Sequence, residues 1–257
     1  MSEMDLFCLP YAGGAAGAIY SKWSGALTPS IQVRPLELAG HGRRMSEPCA
    51  TSISAVVADA LEFMRPYLAA RPYVLFGHSM GAMIAYELAK ATQAAGFPPP
   101  QALIVSGRLP PDFRYPDRDV HKAEDAVFLA HIRSLGGTAP ELFQSRELLQ
   151  LFLPILRSDY ELLSRYRYEP SAASLPTDLI ALYSDRDPMI DKPQMEGWQR
   201  FATGAFEQHE FSGDHFYLNE AWPQICQIIN RKLAAPEELG EELGTGGQLE
   251  IKEWKAR

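Results

Sequence analysis

The chain has 257 residues, of which 46% are hydrophobic, and it can therefore bury the core of one large domain or of two small ones. Its net charge of −8 argues against a nucleic-acid-binding surface, which needs clustered Lys and Arg to neutralise phosphates. No apolar stretch approaches the roughly 18 residues that span a bilayer, no signal peptide is evident and the three cysteines are scattered, so we expect a cytoplasmic protein that contacts no membrane.

Short apolar runs alternate with segments of helical periodicity along the chain. The apolar runs predict six strands, over residues 5–9, 31–36, 73–76, 102–106, 178–183 and 205–211. Helices with one apolar face are predicted over 53–68, 80–92 and 218–233, and Thr51 or Ser52 is placed to cap the first of them. Strands that alternate with helices form a parallel sheet with crossover helices, so the predicted fold class is α/β.

One segment interrupts this alternation. Residues 107–177 contain no strand signal and are too long for a plain crossover, so they predict an inserted helical unit. Its two helices are expected over 124–135 and 145–168, and Pro154 is expected to bend the second. The predicted organisation is a core of residues 1–108 and 173–235, a helical lid of residues 109–172, and a charged, glycine-rich C-terminal tail of residues 236–257.

The stretch GHSMG, residues 77–81, places Ser79 between two glycines, after a predicted strand and before a predicted helix. A G-x-S-x-G pattern arises by chance in about one of ten chains of this composition, so the motif has to be judged by its surroundings. A nucleophile elbow requires a strand, a sharp turn and a helix in this order, and the chain supplies all three. The alternative is a glycine turn without chemistry, because a serine hydroxyl is a weak nucleophile unless a base and an acid support it.

A base and an acid are expected downstream, in the order serine, acid, histidine, each after a strand. Of the six histidines, only His215 follows a late strand and precedes the final helix; the alternative for a loop histidine is simple exposure to solvent. The loop after the fifth strand offers two acids, Asp185 and Asp187. We prefer Asp187, because Pro188 favours an extended backbone that could aim this carboxylate at His215, whereas Asp185 is placed to stabilise the turn.

Two backbone N–H groups are expected to form an oxyanion hole. One belongs to Met80, directly after the serine, and the other to Ala12, in the glycine-rich loop LPYAGGAAGAIY that follows the first strand. This loop has neither a lysine nor the G-x-G-x-x-G spacing, so a nucleotide-binding interpretation is poor. No metal and no cofactor bound to the enzyme is expected.

Several motifs follow one another along the chain from about residue 5 to residue 234. They are LPYAGGAAGAIYSKW, LAGHGRRMSEP, FGHSMGAMIAYELA, LGGTAPEL with LPILRSDYELLSRYRY, YSDRDP and FSGDHFYL. Together they resemble the type II thioesterases, the stand-alone editing enzymes of polyketide synthases and non-ribosomal peptide synthetases. The chain departs from this family at Tyr11, where the family often has histidine. The resemblance implies an α/β-hydrolase fold, with a mostly parallel central sheet flanked by helices and covered by a helical lid.

The resemblance also implies a reaction, namely hydrolysis of misprimed or stalled short acyl chains from the phosphopantetheine thiol of carrier domains. Ser79 would be the nucleophile, His215 the base and Asp187 the acid. Ala12 and Met80 would be the oxyanion donors. The expected partner is a carrier domain, the expected state is a monomer, and phosphopantetheine arrives with the substrate. The alternatives are a chain-terminating fatty acyl thioesterase, a small-ester hydrolase and a non-catalytic binding protein that keeps the hydrolase scaffold.

Overall fold

The computed structural model describes residues 3–116, 119–136, 145–170 and 174–233. Within these ranges six strands form one sheet in the order β2-β1-β3-β4-β5-β6, and every neighbouring pair is parallel. The strands are β1 (Met4–Leu9), β2 (Ile31–Pro35), β3 (Tyr73–His78), β4 (Ala102–Ser106), β5 (Asp178–Ser184) and β6 (Phe206–Phe211). The six predicted strands and their parallel arrangement are therefore confirmed.

Seven α-helices accompany the sheet in the described residues. They are α1 (Ala16–Ile19), α2 (Ile53–Leu68), α3 (Met80–Ala94), α4 (Asp125–Ser134), α5 (Arg146–Arg165), α6 (Lys192–Met195) and α7 (Leu218–Leu233). Of the two candidate caps of α2, Ser52 is the one used, since its side chain accepts a hydrogen bond from the amide of Ala55. None of these helices is long and apolar enough to cross a membrane.

Helices cover both faces of the sheet and make two cores. The strands β1, β3 and β4 are buried along their whole length, because apolar side chains on both faces need cover. On one face α2 and α3 supply that cover, and on the other face α7 does so together with a cluster around Trp23. Strand β6 ends the sheet and is only partly buried. The arrangement is that of an α/β hydrolase.

Helices α4 and α5 belong to the predicted insertion between β4 and β5. They pack on each other through a small third core of Phe128, Ile132 and Leu156. Helix α5 carries Pro154 in its interior and continues from Arg146 to Arg165 as one helix. The lid was expected over residues 109–172; it is described here except for residues 117–118, 137–144 and 171–172, and the predicted tail lies outside the described residues.

Candidate active site

Ser79 occupies a sharp turn between β3 and α3. Its φ of 54° and ψ of −114° make it the one non-glycine residue of the described ranges with a positive φ. Such a conformation costs of the order of 1–3 kcal/mol and persists only where the surroundings enforce it. Two backbone hydrogen bonds do so, from the amide of Ser79 to the carbonyl of Ser106 (2.7 Å) and from the amide of Ala82 to the carbonyl of Ser79 (3.0 Å).

The two glycines of the motif are required by close backbone packing around this turn. A Cβ on Gly77 would overlap the backbone of Gly81 and lie 2.5 Å from the amide nitrogen of Ala82. A Cβ on Gly81 would lie 2.7 Å from the carbonyl oxygen of Pro10, and closer still to that of Leu9. The first turn of α3 therefore lies directly on the loop that follows β1, which positions the two predicted oxyanion donors as neighbours.

The structure brings Ser79, His215 and Asp187 together in one hydrogen-bonded chain. The Nε2 atom of His215 lies 2.9 Å from the Oγ atom of Ser79, and its Nδ1 atom lies 2.6 Å from Oδ2 of Asp187. All three residues are buried. Since an ionised carboxylate only accepts hydrogen bonds, Asp187 holds a proton on Nδ1 and leaves Nε2 free to accept the serine proton.

The two aspartates after β5 have different tasks. The second carboxylate oxygen of Asp187 accepts a hydrogen bond from the amide of Met189 (2.9 Å), which fixes the side chain toward His215. Asp185 instead accepts from the amide of Gly213 (2.9 Å) and ties the loop after β5 to the loop after β6. Its side chain is 40% exposed and makes no hydrogen bond to His215. The geometry thus separates a buried orienting carboxylate from an exposed loop-stabilising one.

The predicted oxyanion donors lie at the same end of the sheet. Ala12 is half-buried and packs against the core that contains Met80. Met80 is the first residue of α3, where backbone N–H groups have no intrahelical acceptor. Among the described residues neither amide donates a hydrogen bond to a protein acceptor, so both are available to a ligand.

His78 is a second buried imidazole beside the site. Its Nδ1 atom lies 2.8 Å from the Oγ atom of Ser106, which in turn lies 2.6 Å from the hydroxyl of Tyr217. The rings of His78 and His215 are 5.2 Å apart. Burial, together with the nearby His215, holds the pKa of His78 well below its usual value. His78 is therefore neutral and supports His215 by packing, without adding a second positive charge to the site.

A carboxylate of α5 connects the insertion to two loops of the core. Asp159 is 3% exposed, and its Oδ2 atom accepts hydrogen bonds from the amide of Gly13 (2.7 Å) and from the Nε2 atom of His41 (2.9 Å). Gly13 directly follows Ala12, so the lid helix holds the loop that carries the predicted oxyanion donor. This link joins residues far apart in the sequence and was not predicted. Its signal was a single acid on a helix face that otherwise carries Ile155 and Leu162.

The link between Asp159 and His41 predicts a pH-dependent stability. Burial is the largest effect and lowers the pKa of His41. The hydrogen bond and charge of Asp159, together with the carbonyl of Ala39 and the charge of Glu37, outweigh it, so that the pKa lies above the usual 6.5. A raised folded-state pKa means that the stabilisation is complete below about pH 6.5 and is lost as the pH rises through the raised value. Asp159→Ala, which breaks a buried pair, should cost roughly 3–5 kcal/mol at pH 6.

The measurement is urea unfolding at pH 6 and pH 8.5. Asp159→Asn keeps an acceptor for Gly13 but removes the charge. It should abolish the loss of stability with rising pH that His41 causes, or reverse it, because Asp159 then no longer opposes the burial that lowers the pKa of His41. Asp125→Asn is the matched control on the same lid, because this carboxylate is 68% exposed and pairs with Arg157 at the surface. Equal losses of stability in Asp159→Ala and Asp125→Asn would contradict the prediction.

A cavity of about 620 Å³ lies between helix α5 and the loop that carries Asp187. Its walls include Met83 from α3, Pro188 and Met189 from that loop, and Tyr160 from α5. Further aromatic walls come from the loop after β4 and from the C-terminal end of α5, namely Phe113, Tyr115, Tyr166 and Tyr168. No three His, Cys, Asp or Glu side chains are grouped to hold a metal within the part of the chain that the structure describes.

Several known proteins are similar to this chain over most of its length. The chain is 38% identical to the thioesterase PikA5 of Streptomyces venezuelae, over 90% of this chain and 82% of that protein. It is similar to the crystal structure of ClbQ from the colibactin NRPS/PKS pathway, at 32% identity and a TM-score of 0.86, over 95% of this chain and all of ClbQ.

A further solved structure is that of BorB, described as the type II thioesterase from the borrelidin biosynthetic cluster. The identity is 35% and the TM-score 0.81, over 90% of this chain and 93% of that one. The family model of the thioesterase domain matches residues 4–233, which include the nucleophile elbow, both aspartates after β5 and His215. The chain therefore belongs to the thioesterase domain family.

Proposed function

We propose that this thioesterase hydrolyses acyl groups from the phosphopantetheine thiol of carrier domains through an acyl-enzyme intermediate. The observation that carries the proposal is the continuous hydrogen-bonded chain from Ser79 through His215 to Asp187, with distances of 2.9 and 2.6 Å. The chain is also similar to BorB, a type II thioesterase, and to ClbQ of an NRPS/PKS pathway. These similarities support a role beside polyketide synthases or non-ribosomal peptide synthetases.

Acylation begins when Ser79 Oγ attacks the thioester carbonyl while Nε2 of His215 accepts the hydroxyl proton. The negative charge that develops on the carbonyl oxygen is stabilised by the free amides of Ala12 and Met80. The carbon–sulfur bond then breaks, and the leaving thiolate receives the proton from His215. The result is a serine ester and a free pantetheine thiol.

Deacylation repeats these steps with water in place of the serine hydroxyl. His215 takes a proton from the water, the resulting hydroxide attacks the ester carbonyl, and Ser79 Oγ leaves and is protonated by His215. The products are the free acid and the original enzyme. No cofactor of the enzyme takes part in the proposed reaction, and since all the residues it uses belong to one chain, a monomer is sufficient.

The proposed physiological substrates are misprimed or stalled short acyl chains. An apolar pocket gains only about 1–3 kcal/mol per additional methylene, so it discriminates weakly among short chains. Weak discrimination suits an editing enzyme, which must accept many incorrect acyl groups. A terminating thioesterase, in contrast, has to prefer one finished chain.

The proposal is tested by incubating the wild-type enzyme with a panel of acyl-loaded carrier proteins and following the loss of each acyl group by intact mass. Short acyl groups on several carriers should be cleared, and the same groups attached to the carrier as oxyesters should be cleared more slowly. Clearance of a single long chain alone would indicate a terminating thioesterase. In parallel, a fluorophosphonate should label Ser79 stoichiometrically; an unlabelled Ser79 in folded protein would indicate a non-catalytic scaffold.

A further inference from the structure

Arg108 is a buried cation without an ionic partner. It lies just beyond the carboxyl end of β4 and is only 7% exposed. Its guanidinium makes no ion pair or hydrogen bond with any residue described in the structure, and its Nε atom is buried with no acceptor. Burying a charged group without an oppositely charged partner is costly, because the group loses its hydration and no ion pair compensates for the loss. The position of Arg108 therefore favours the binding of an anionic group supplied by a ligand.

The surrounding residues hold Arg108 in place without neutralising it. Its carbonyl oxygen accepts a hydrogen bond from Nε1 of Trp198 (2.7 Å), which fixes the backbone. Its guanidinium carbon lies 4.2 Å from the centre of the Tyr115 ring, a cation–π contact that leaves the edge of the guanidinium plane free. The hydroxyl of Tyr115 is itself occupied, since it accepts a hydrogen bond from the amide of Leu109 (2.9 Å).

Arg108 lines the cavity of about 620 Å³ that lies between α5 and the loop that carries Asp187. Two other wall residues, Met83 and Met189, link the cavity to the candidate catalytic residues: Met83 is on the helix that begins after Ser79, and the amide of Met189 donates to Asp187. The cavity thus adjoins both the nucleophile helix and the acid loop, where the acyl part of a substrate attached to Ser79 could extend.

The other charged groups around the cavity do not neutralise Arg108. Two carboxylates line it, and of these Asp112 pairs with Arg200 and Asp191 is exposed. Two further cations, Arg114 and Arg167, line it as well. Tyr160 lines the cavity too; burial raises the pKa of its phenol further above neutral, so its hydroxyl stays a hydrogen-bond donor. The cavity combines apolar walls with surplus positive charge.

We propose that Arg108 binds a carboxylate at the far end of the acyl chain, so that the enzyme accepts carboxyacyl thioesters, the thioesters of dicarboxylic acids. This assignment rests on the proposed thioesterase function. A guanidinium presents a planar fork of N–H donors that matches a carboxylate with two parallel hydrogen bonds. An acyl chain with an apolar end would displace water from the guanidinium and leave it unpaired, so such a chain should be hydrolysed more slowly than a carboxyacyl chain of equal length.

The test compares thioesters that differ only in the terminal group. Succinyl, glutaryl and adipyl thioesters of N-acetylcysteamine are each matched with an isostere in which an isopropyl group replaces the carboxylate. For the best-fitting chain length, wild-type kcat/KM should be at least tenfold higher for the carboxyacyl compound. Arg108→Gln should lower kcat/KM for that compound about 100-fold while changing the value for its isostere less than threefold.

Two further variants complete the experiment. Arg108→Lys keeps a positive charge but loses the planar fork, so it should retain an intermediate preference for the carboxyacyl compound. If Arg108→Gln does not fold, the same comparison is made with Arg108→Lys. Arg165→Gln removes an exposed cation of helix α5 that does not line the cavity, and it should keep the wild-type preference. A wild-type enzyme with no preference within any pair, or an Arg108→Gln enzyme that keeps it, would overturn the assignment.

These outcomes are distinct from failure of the proposed function. If the wild-type enzyme hydrolysed none of the thioesters, the thioesterase proposal would fail together with the assignment of Arg108. If it hydrolysed the isosteres and carboxyacyl compounds equally well, the thioesterase function would stand and only the carboxylate subsite would be wrong.

Discussion

Replacing Ser79 by alanine is expected to lower kcat for acyl-thioester hydrolysis by about 10⁶-fold, the loss typical of a serine nucleophile that acts together with its histidine. The Oγ atom of Ser79 is the hydroxyl that His215 contacts, so the variant has no group from which His215 can generate a nucleophile at that place. The oxyanion donors and the binding site remain, and they should leave a residual rate above that of water alone.

The measurement is single-turnover clearance of an acyl-loaded carrier protein followed by intact mass. Ser24→Ala is the matched control, because Ser24 is an exposed serine of the 3-10 helix Trp23–Gly25. It should clear the carrier at the wild-type rate. Equal rates for Ser79→Ala and wild type would refute the acyl-enzyme mechanism, whatever the identity of the substrate.

Asp187→Asn is expected to lower kcat by about 10⁴-fold while leaving the fold and the binding of substrate nearly unchanged. An asparagine amide is able to donate a hydrogen bond to Nδ1 of His215, which favours the tautomer that carries its proton on Nε2. In that tautomer the imidazole cannot accept the proton of Ser79. The loss should therefore fall on kcat, with KM and the melting temperature close to the wild-type values.

The neighbouring aspartate provides the control for this variant. Asp185→Asn is an equally conservative substitution two residues away. In the wild-type protein the Asp185 carboxylate accepts a hydrogen bond from the amide of Gly213 and lies partly in solvent. We expect at most a few-fold change in kcat, since the amide oxygen of asparagine still accepts that hydrogen bond. A larger loss in Asp185→Asn than in Asp187→Asn would mean that the acid of the site is Asp185.

The strands and the main helices were predictable because their apolar periodicity is local in the sequence. The strand bounds differ slightly; β3, for example, extends past Phe76 to His78, because its ladder of backbone hydrogen bonds with β4 continues beyond the apolar run. The choice of Asp187 over Asp185 was also accessible, since Pro188 restricts the backbone of the residue before it. In these cases residues close in sequence determine the outcome.

Features that depend on distant partners were not predictable in the same way. Asp159 reads as an ordinary helix acid until the fold places it against Gly13 and His41, which are 146 and 118 residues away. Arg108 reads as a loop cation, and only the packing around it shows that it is buried without a partner. Pro154 lies inside α5 without ending it, because the helix continues through that residue to Arg165.

The long separations within the site also bear on how the protein folds. The contact between Ser79 and His215 closes a loop of 136 residues, and that between Gly13 and Asp159 one of 146. Closing loops of this length costs chain entropy, and proteins rich in such long-range contacts fold slowly. The strained serine is thus paired with its base only once β6 and the loop after it have joined the sheet. A growing or partly folded chain has no assembled hydrolase site, and hydrolytic competence appears only with the completed fold.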